Sequence, residues 1–387
     1  MTFSINMSLP TLPTELLSCI ATLLLPSIQD VDSLAKTSKR LYAITNPILY
    51  HHHIFHQDSS ALIWAAQHGK PDAFNRLLQE GANPNTRDPH LQTPLIWAAG
   101  HGRPASTFWN WFSPTPTTTD SIHPKAGDYL AIVKMLLSAK DIQPDCRAQR
   151  GATPLTAAAT AGAEEIVEEL LRTGKVDANT KDKTGQTPLL AAARHGHFRI
   201  VQRLLAEGVD ADAQSEGGMT PLLAAAGAGH ARIVKLLLAI PTVDPDQQPG
   251  FGDRALLTAI LAGHTDVVEA LLANEKVSLS LPNKYGITAL ATAAKRGHPD
   301  IIRWLLAKGV DPDVKDREGM TPLMFAAERG HVEAVELLLS TVRVQADFDL
   351  TTMNRSFGFA PSKLNKDVVR LLDDYKSRRR GGSLLDS

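Results

Sequence analysis

The phrase TPLLAAARHGHFRIVQRLLAEGVDADAQ opens at Thr187, and TPLLAAAGAGHARIVKLLLAIPTVDPDQ opens at Thr220. No other feature restricts the fold so tightly, because a sequence that repeats must build one local structure again and again. The same opening recurs at Thr93, Thr153 and Thr321, and in weaker form at Ser60, Arg254 and Thr288. Successive starts are 33, 60, 34, 33, 34, 34 and 33 residues apart. A glycine keeps the beat nine residues after each start, at Gly69, Gly102, Gly162, Gly196, Gly229, Gly263, Gly297 and Gly330.

Each copy has a physical reading. Thr-Pro opens a short helix, since proline suits a first turn where its missing N–H goes unused. Alanines follow, small enough for close helix approach, and the glycine ends the helix. A second helix then carries apolar residues at i, i+1, i+4 and i+5, which share one face. These are Ile166, Val167, Leu170 and Leu171 in one copy, Ile200, Val201, Leu204 and Leu205 in the next, and Ile301, Ile302, Leu305 and Leu306 further on. Gly, Asn, Asp and Pro close each copy, which is turn chemistry. One such unit buries too little apolar surface to fold alone, so the copies must stack. The prediction is an all-α solenoid of about eight helix-turn-helix repeats over residues 60–340.

These residues resemble the ankyrin repeat in both period and opening phrase. Where that family carries His after T-P-L, this chain has Ile96, Thr156, Leu190, Leu223 or Met324. The hydrogen bond usually made by that histidine is therefore not expected. The resemblance implies that residues just before each mid-repeat glycine, and those in the turn before T-P-L, project from a concave face toward partners. On that basis the partner-binding candidates are Arg194, His195, Lys295, Arg296 and Arg329, with Lys284 and Tyr285 from a turn. Counted over all these positions, cations outnumber acids, so an acidic partner segment is expected there. After Leu339 the register continues faintly: NKDVVRLLDDY matches HARIVKLLLAI, which suggests a degenerate terminal repeat over 341–376 and a disordered tail over 377–387.

The 60-residue interval holds an insertion at 103–127 with four aromatics, among them Trp109 and Trp111. Two readings stand: the aromatics fold back onto the second repeat, or they form a loop that contacts a partner.

Before the repeats lies LPTELLSCIATLLLPSIQD, at residues 12–30. No Lys or Arg precedes Lys36, and the apolar run from Leu16 to Leu25 is broken by Ser18 and Thr22. A signal peptide needs a basic leader, and a membrane span needs about 20 apolar residues, so neither is expected. Leu16, Leu17, Ile20 and Leu23 form a helical stripe, and Leu34 lies on a second helix leading to Leu41 and Tyr42. After a tail of residues 1–9, residues 10–56 resemble the F-box. That is a small helical module whose pattern is Leu-Pro, acidic-Leu-Leu, Ile, and a later Leu beside an aromatic. Its placement before ankyrin repeats is an arrangement common among fungal proteins. The resemblance implies docking on a Skp-type adaptor of a cullin ubiquitin ligase through Leu12, Pro13, Leu16, Leu17, Ile20, Leu34, Leu41 and Tyr42. The alternative is that these helices only cap the first repeat, which leaves a plain ankyrin scaffold or inhibitor.

Net charge is −1, so no global field favours nucleic acid or an anionic membrane. The two cysteines, Cys19 and Cys146, cannot make a disulfide framework, which fits a reducing compartment. The HHHIFH run over 51–56 has no carboxylate or cysteine at ligand spacing, and adjacent histidines of an extended segment alternate faces. No phosphate-binding, metalloprotease or nucleophile-elbow motif occurs. The expectation is therefore an intracellular interaction protein, cytoplasmic or nuclear, with no catalytic residue, cofactor or metal. Its expected partners are a Skp-type adaptor with its cullin and a protein substrate.

Overall fold

The computed structural model describes residues 60–101, 125–250, 252–341 and 365–382. The F-box-like residues from Leu12 to Tyr42, together with Trp109 and Trp111, lie outside the described residues. Among those described there are 17 helices and no strand. They fall into two compact units, one ending at Lys183 and the other starting at Thr184.

The first unit contains α1 (Ser60–Gln67), α2 (Pro71–Gln79), α3 (Pro94–Gly100), α4 (Ala126–Ser138), α5 (Pro154–Ala161) and α6 (Glu164–Arg172). The second contains α7 (Pro188–His195), α8 (Phe198–Ala206), α9 (Pro221–Ala228), α10 (Ala231–Leu238), α11 (Ala255–Ala262), α12 (Thr265–Leu272), α13 (Ala289–Arg296), α14 (Pro299–Ala307), α15 (Pro322–Arg329), α16 (Val332–Leu339) and α17 (Lys366–Gly382). Within each unit the first helix of every copy packs on the first helix of the next, and second helices pack likewise, so each unit has two layers. Each unit is therefore a stack of helix pairs.

The helix ends obey the sequence. Thr93, Thr153, Thr187, Thr220, Thr288 and Thr321 each accept the N–H three residues on, satisfying a donor that a helix start leaves over. Arg254 stands where the others have threonine and caps nothing; its guanidinium donates to the Asp246 and Pro282 carbonyls at 2.9 and 2.6 Å. The six mid-repeat glycines from Gly162 to Gly330 take left-handed φ between 68° and 82°. In α8 and α14 the expected four-residue apolar face is three residues wide: Ile200, Val201 and Leu204 are buried, as are Ile301, Ile302 and Leu305, while Leu205 and Leu306 are half-buried. The i+5 position lies at the edge of the stripe, where the neighbouring helix no longer covers it.

Where the family's histidine is missing, Thr156 supplies a hydroxyl 3.1 Å from that of Thr153, and Thr180 adds a third at 3.4 Å. A different histidine ties successive copies of the second unit together. His197, His230, His264, His298 and His331 stand at the starts of the second helices, and none caps its own helix. Instead Nε2 of His230, His264 and His331 donates to the carbonyls of Arg194, Gly227 and Lys295 in the preceding copy, at 3.1, 3.1 and 3.2 Å. Asn365 takes this place in the last copy, with Nδ2 3.5 Å from the Gly330 carbonyl.

Val368 and Leu372 of α17 are buried, and the helix packs on α16. It runs on to Gly382, past residue 377, where a disordered tail was expected to begin. No proline or glycine interrupts it before Gly381, and arginine is a good helix former.

Candidate functional site

In the second unit, four of the partner-binding candidates line one cavity of about 410 Å³. Tyr285 comes from the turn before α13, Lys295 and Arg296 from the end of α13, and Arg329 from the end of α15. Asp253, Leu261, Asn283, Ile287 and Thr292 complete the lining. The helix ends reach this place because each first helix stops at a left-handed glycine, which leaves its last turn at the edge of the stack.

The turn that carries Tyr285 is fixed by Asn283. Its side-chain oxygen accepts from the N–H groups of Tyr285 and Ile287, both at 3.0 Å, while its Nδ2 donates to Asp253 Oδ1 at 2.7 Å. The Tyr285 carbonyl accepts from Arg317 N of the next turn at 3.1 Å. Tyr285 nevertheless remains 58% exposed. Lys284 stands over that ring, with Nζ 4.9 Å from the centroid, and Lys295 stands 5.1 Å over Phe325. Arg329 Nε is 3.8 Å from Glu328. Arg194 and His195 end α7 and do not line the cavity; Arg194 is exposed, and the His195 ring stacks on His197 at 6.2 Å.

Imidazoles beside these cations hold protons poorly. His298 is pushed below the ordinary 6.5 by burial first, with its bond to the Ile260 carbonyl opposing and Arg296 and His331 adding to the shift. His195 is lowered by burial, then by His197, Arg194 and His230.

The first unit holds a group that the candidate list missed. Trp64 is 51% exposed and stacks on His68 at 4.6 Å. Trp97 donates its indole N–H to Asp88 at 2.9 Å, and His101 lies 5.4 Å from Trp97 and 5.8 Å from Tyr129. Burial pushes the Tyr129 hydroxyl up to about 12, with Asp128 adding to the shift. The signal was present in the sequence, since tryptophan stands four residues after Ser60 and Thr93 where Thr153, Thr187 and Thr220 are followed by alanine. Among the described residues no cluster of His, Cys, Asp and Glu is arranged to hold a metal, and no helix is long and apolar enough to cross a membrane.

A stack of helix pairs with short first helices, left-handed glycine ends and an open row of helix tips is the architecture of an interaction module. Comparison with known proteins agrees. The family described as "Ankyrin repeats (3 copies)" matches residues 124–215, 190–281, 222–316 and 275–354, and "Ankyrin repeat" matches 57–89. The chain belongs to the ankyrin-repeat family, and its role is to bind other proteins. No F-box is found by the same comparison. Among curated proteins, the chain is similar to human "Neurogenic locus notch homolog protein 4", 34% identical over 107 residues, which is 28% of this chain. It spans 4% of that protein's length.

Proposed function

We propose that this protein is a substrate adaptor, with residues 10–56 docking on a Skp-type subunit of a cullin ubiquitin ligase and the repeats holding the protein to be modified. The observation that carries the reading is the order of parts: Leu12-Pro13, Leu16-Leu17, Ile20, Leu34 and Leu41-Tyr42 immediately precede a binding module. The chain contributes proximity, and the ligase's conjugating enzyme performs the chemistry. The cavity beside Tyr285 supports the second half of the reading, since its cations and exposed ring suit protein contact.

The test is Leu12→Ala with Pro13→Ala in the full chain, mixed with a purified Skp-type adaptor. Loss of adaptor binding at an unchanged melting temperature is the expected result. Adaptor binding that survives the double substitution, or that is absent from the parent chain, refutes the ligase role and leaves an ankyrin scaffold. A fall in melting temperature of several degrees shows instead that these residues cap the first repeat.

A further inference from the structure

The cavity lined by α11, α13, α15 and the turn of Tyr285 carries more cation than it can neutralise. Lys295, Arg296 and Arg329 line it with one carboxylate, Asp253, so the lining residues sum to three positive charges against one negative. That carboxylate already accepts the Asn283 amide at 2.7 Å. Neither Lys295 nor Arg296 forms an ion pair among the described residues; Lys295 faces the Phe325 ring, and Arg329 has Glu328 alone at 3.8 Å. Leu261, Ile287 and Tyr285 give the same cavity an apolar side. Thr292 is spoken for, since its hydroxyl donates to the Thr288 carbonyl at 2.9 Å.

We propose that this cavity receives an Asp or Glu side chain of an extended partner segment, with a neighbouring apolar residue of that segment against Tyr285, Ile287 and Leu261. The proposal rests on the reading of the repeats as the part that holds a protein partner. A volume of about 410 Å³ admits one or two side chains, not a folded domain. The cations form a spot rather than a track: the positions matching Lys295 and Arg296 are Gly227 and Ala228 on α9, and Leu261 and Ala262 on α11. Nucleic acid draws its affinity from many phosphate contacts along a track, and this face offers none in the two preceding copies.

The test uses the full chain, immobilised, and a synthetic decapeptide library with Glu, Gln or Lys at one fixed central position and mixed residues elsewhere. The bound fraction is expected to be enriched in the Glu pool over the Gln pool by about tenfold, the effect of one desolvated charge pair. Leu, Ile and Val should be enriched beside the fixed position, and the preference should fall as salt is raised. R296E and R329E should each abolish the Glu preference, while K308E, at an exposed cation outside the cavity, should retain it; melting temperatures of all three confirm folding. Equal capture of Glu and Gln pools overturns the proposal, as does an unchanged Glu preference in R296E and R329E. Tighter binding of a single-stranded oligothymidine than of the Glu pool at the same salt also overturns it. Adaptor binding by the same preparations is scored separately. Loss of Glu preference with adaptor capture intact leaves the ligase reading standing, and the reverse result leaves the cavity standing.

Discussion

Replacing Gly297 by alanine tests how successive repeats are joined. Gly297 closes α13 at φ 68°, and the His331 ring of the next copy lies against its α-carbon. A methyl group there would stand 2.5 Å from His331 Nδ1, so the ring must swing away and release the Lys295 carbonyl, now 3.2 Å from Nε2. Placing alanine in a left-handed conformation costs roughly 1–2 kcal/mol, and losing the hydrogen bond costs about 1 kcal/mol more. The lower entropy of the unfolded alanine chain returns about 0.4–1 kcal/mol. The net loss is about 2 kcal/mol. Gly309 supplies the control: its φ is 79°, yet a methyl group there meets nothing within 4 Å. Gly309→Ala therefore pays only the conformational part and should cost about 1 kcal/mol. In a His331→Ala background the extra cost at Gly297 should vanish, giving a coupling of about 1 kcal/mol in a double-mutant cycle. Urea midpoints followed by circular dichroism measure all four variants. Equal losses at Gly297 and Gly309, or a Gly297 effect unchanged without the His331 ring, would refute the histidine link.

Acid should loosen the protein through its buried histidines. His101, His195 and His298 are all held below the ordinary 6.5, in each case chiefly by burial. The unfolded chain then binds protons first, so stability is full above pH 6.5 and is lost as pH falls from there through the lower folded values. Asp145 and Asp212 are raised by burial, but from 3.8, so their opposite contribution belongs to more acid conditions. Melting temperature should drop between pH 7.5 and pH 5.5, and His298→Gln should flatten that drop; a flat parent curve would contradict the assignment. At Leu91, φ is 58° in a turn position that Gly151, Gly185, Gly218, Gly286 and Gly319 fill in other copies. Leu91→Gly relieves about 1–2 kcal/mol of left-handed strain and gives back part of it as unfolded-chain entropy. A gain of about 0.5–1 kcal/mol in thermal unfolding is expected, and a net loss would show that the exposed leucine side chain packs usefully.

Helix pairs, their starts and their stops were legible in the sequence because they are decided over three or four residues. Thr220 bonds its own helix at Leu223, and Gly229 turns the chain within one residue. The period then made stacking unavoidable, and the family comparison agrees with it. The resemblance to the ankyrin family placed Tyr285, Lys295, Arg296 and Arg329 on one face, together with the positions of Asp253 and Leu261, and all six line one cavity. Sequence did not show that these residues enclose a cavity, nor that Arg194 and His195 stand apart from it. The turn at one side of that cavity is held by Asn283 through bonds to Tyr285, Ile287 and Asp253, the last of which joins two copies. The histidines show the same division. Their recurrence was plain in the sequence, but a donor at His331 whose acceptor is Lys295, 36 residues earlier, exists only once the copies have stacked. Local backbone preferences act along the chain and can be read there; side-chain partners are chosen by packing across it.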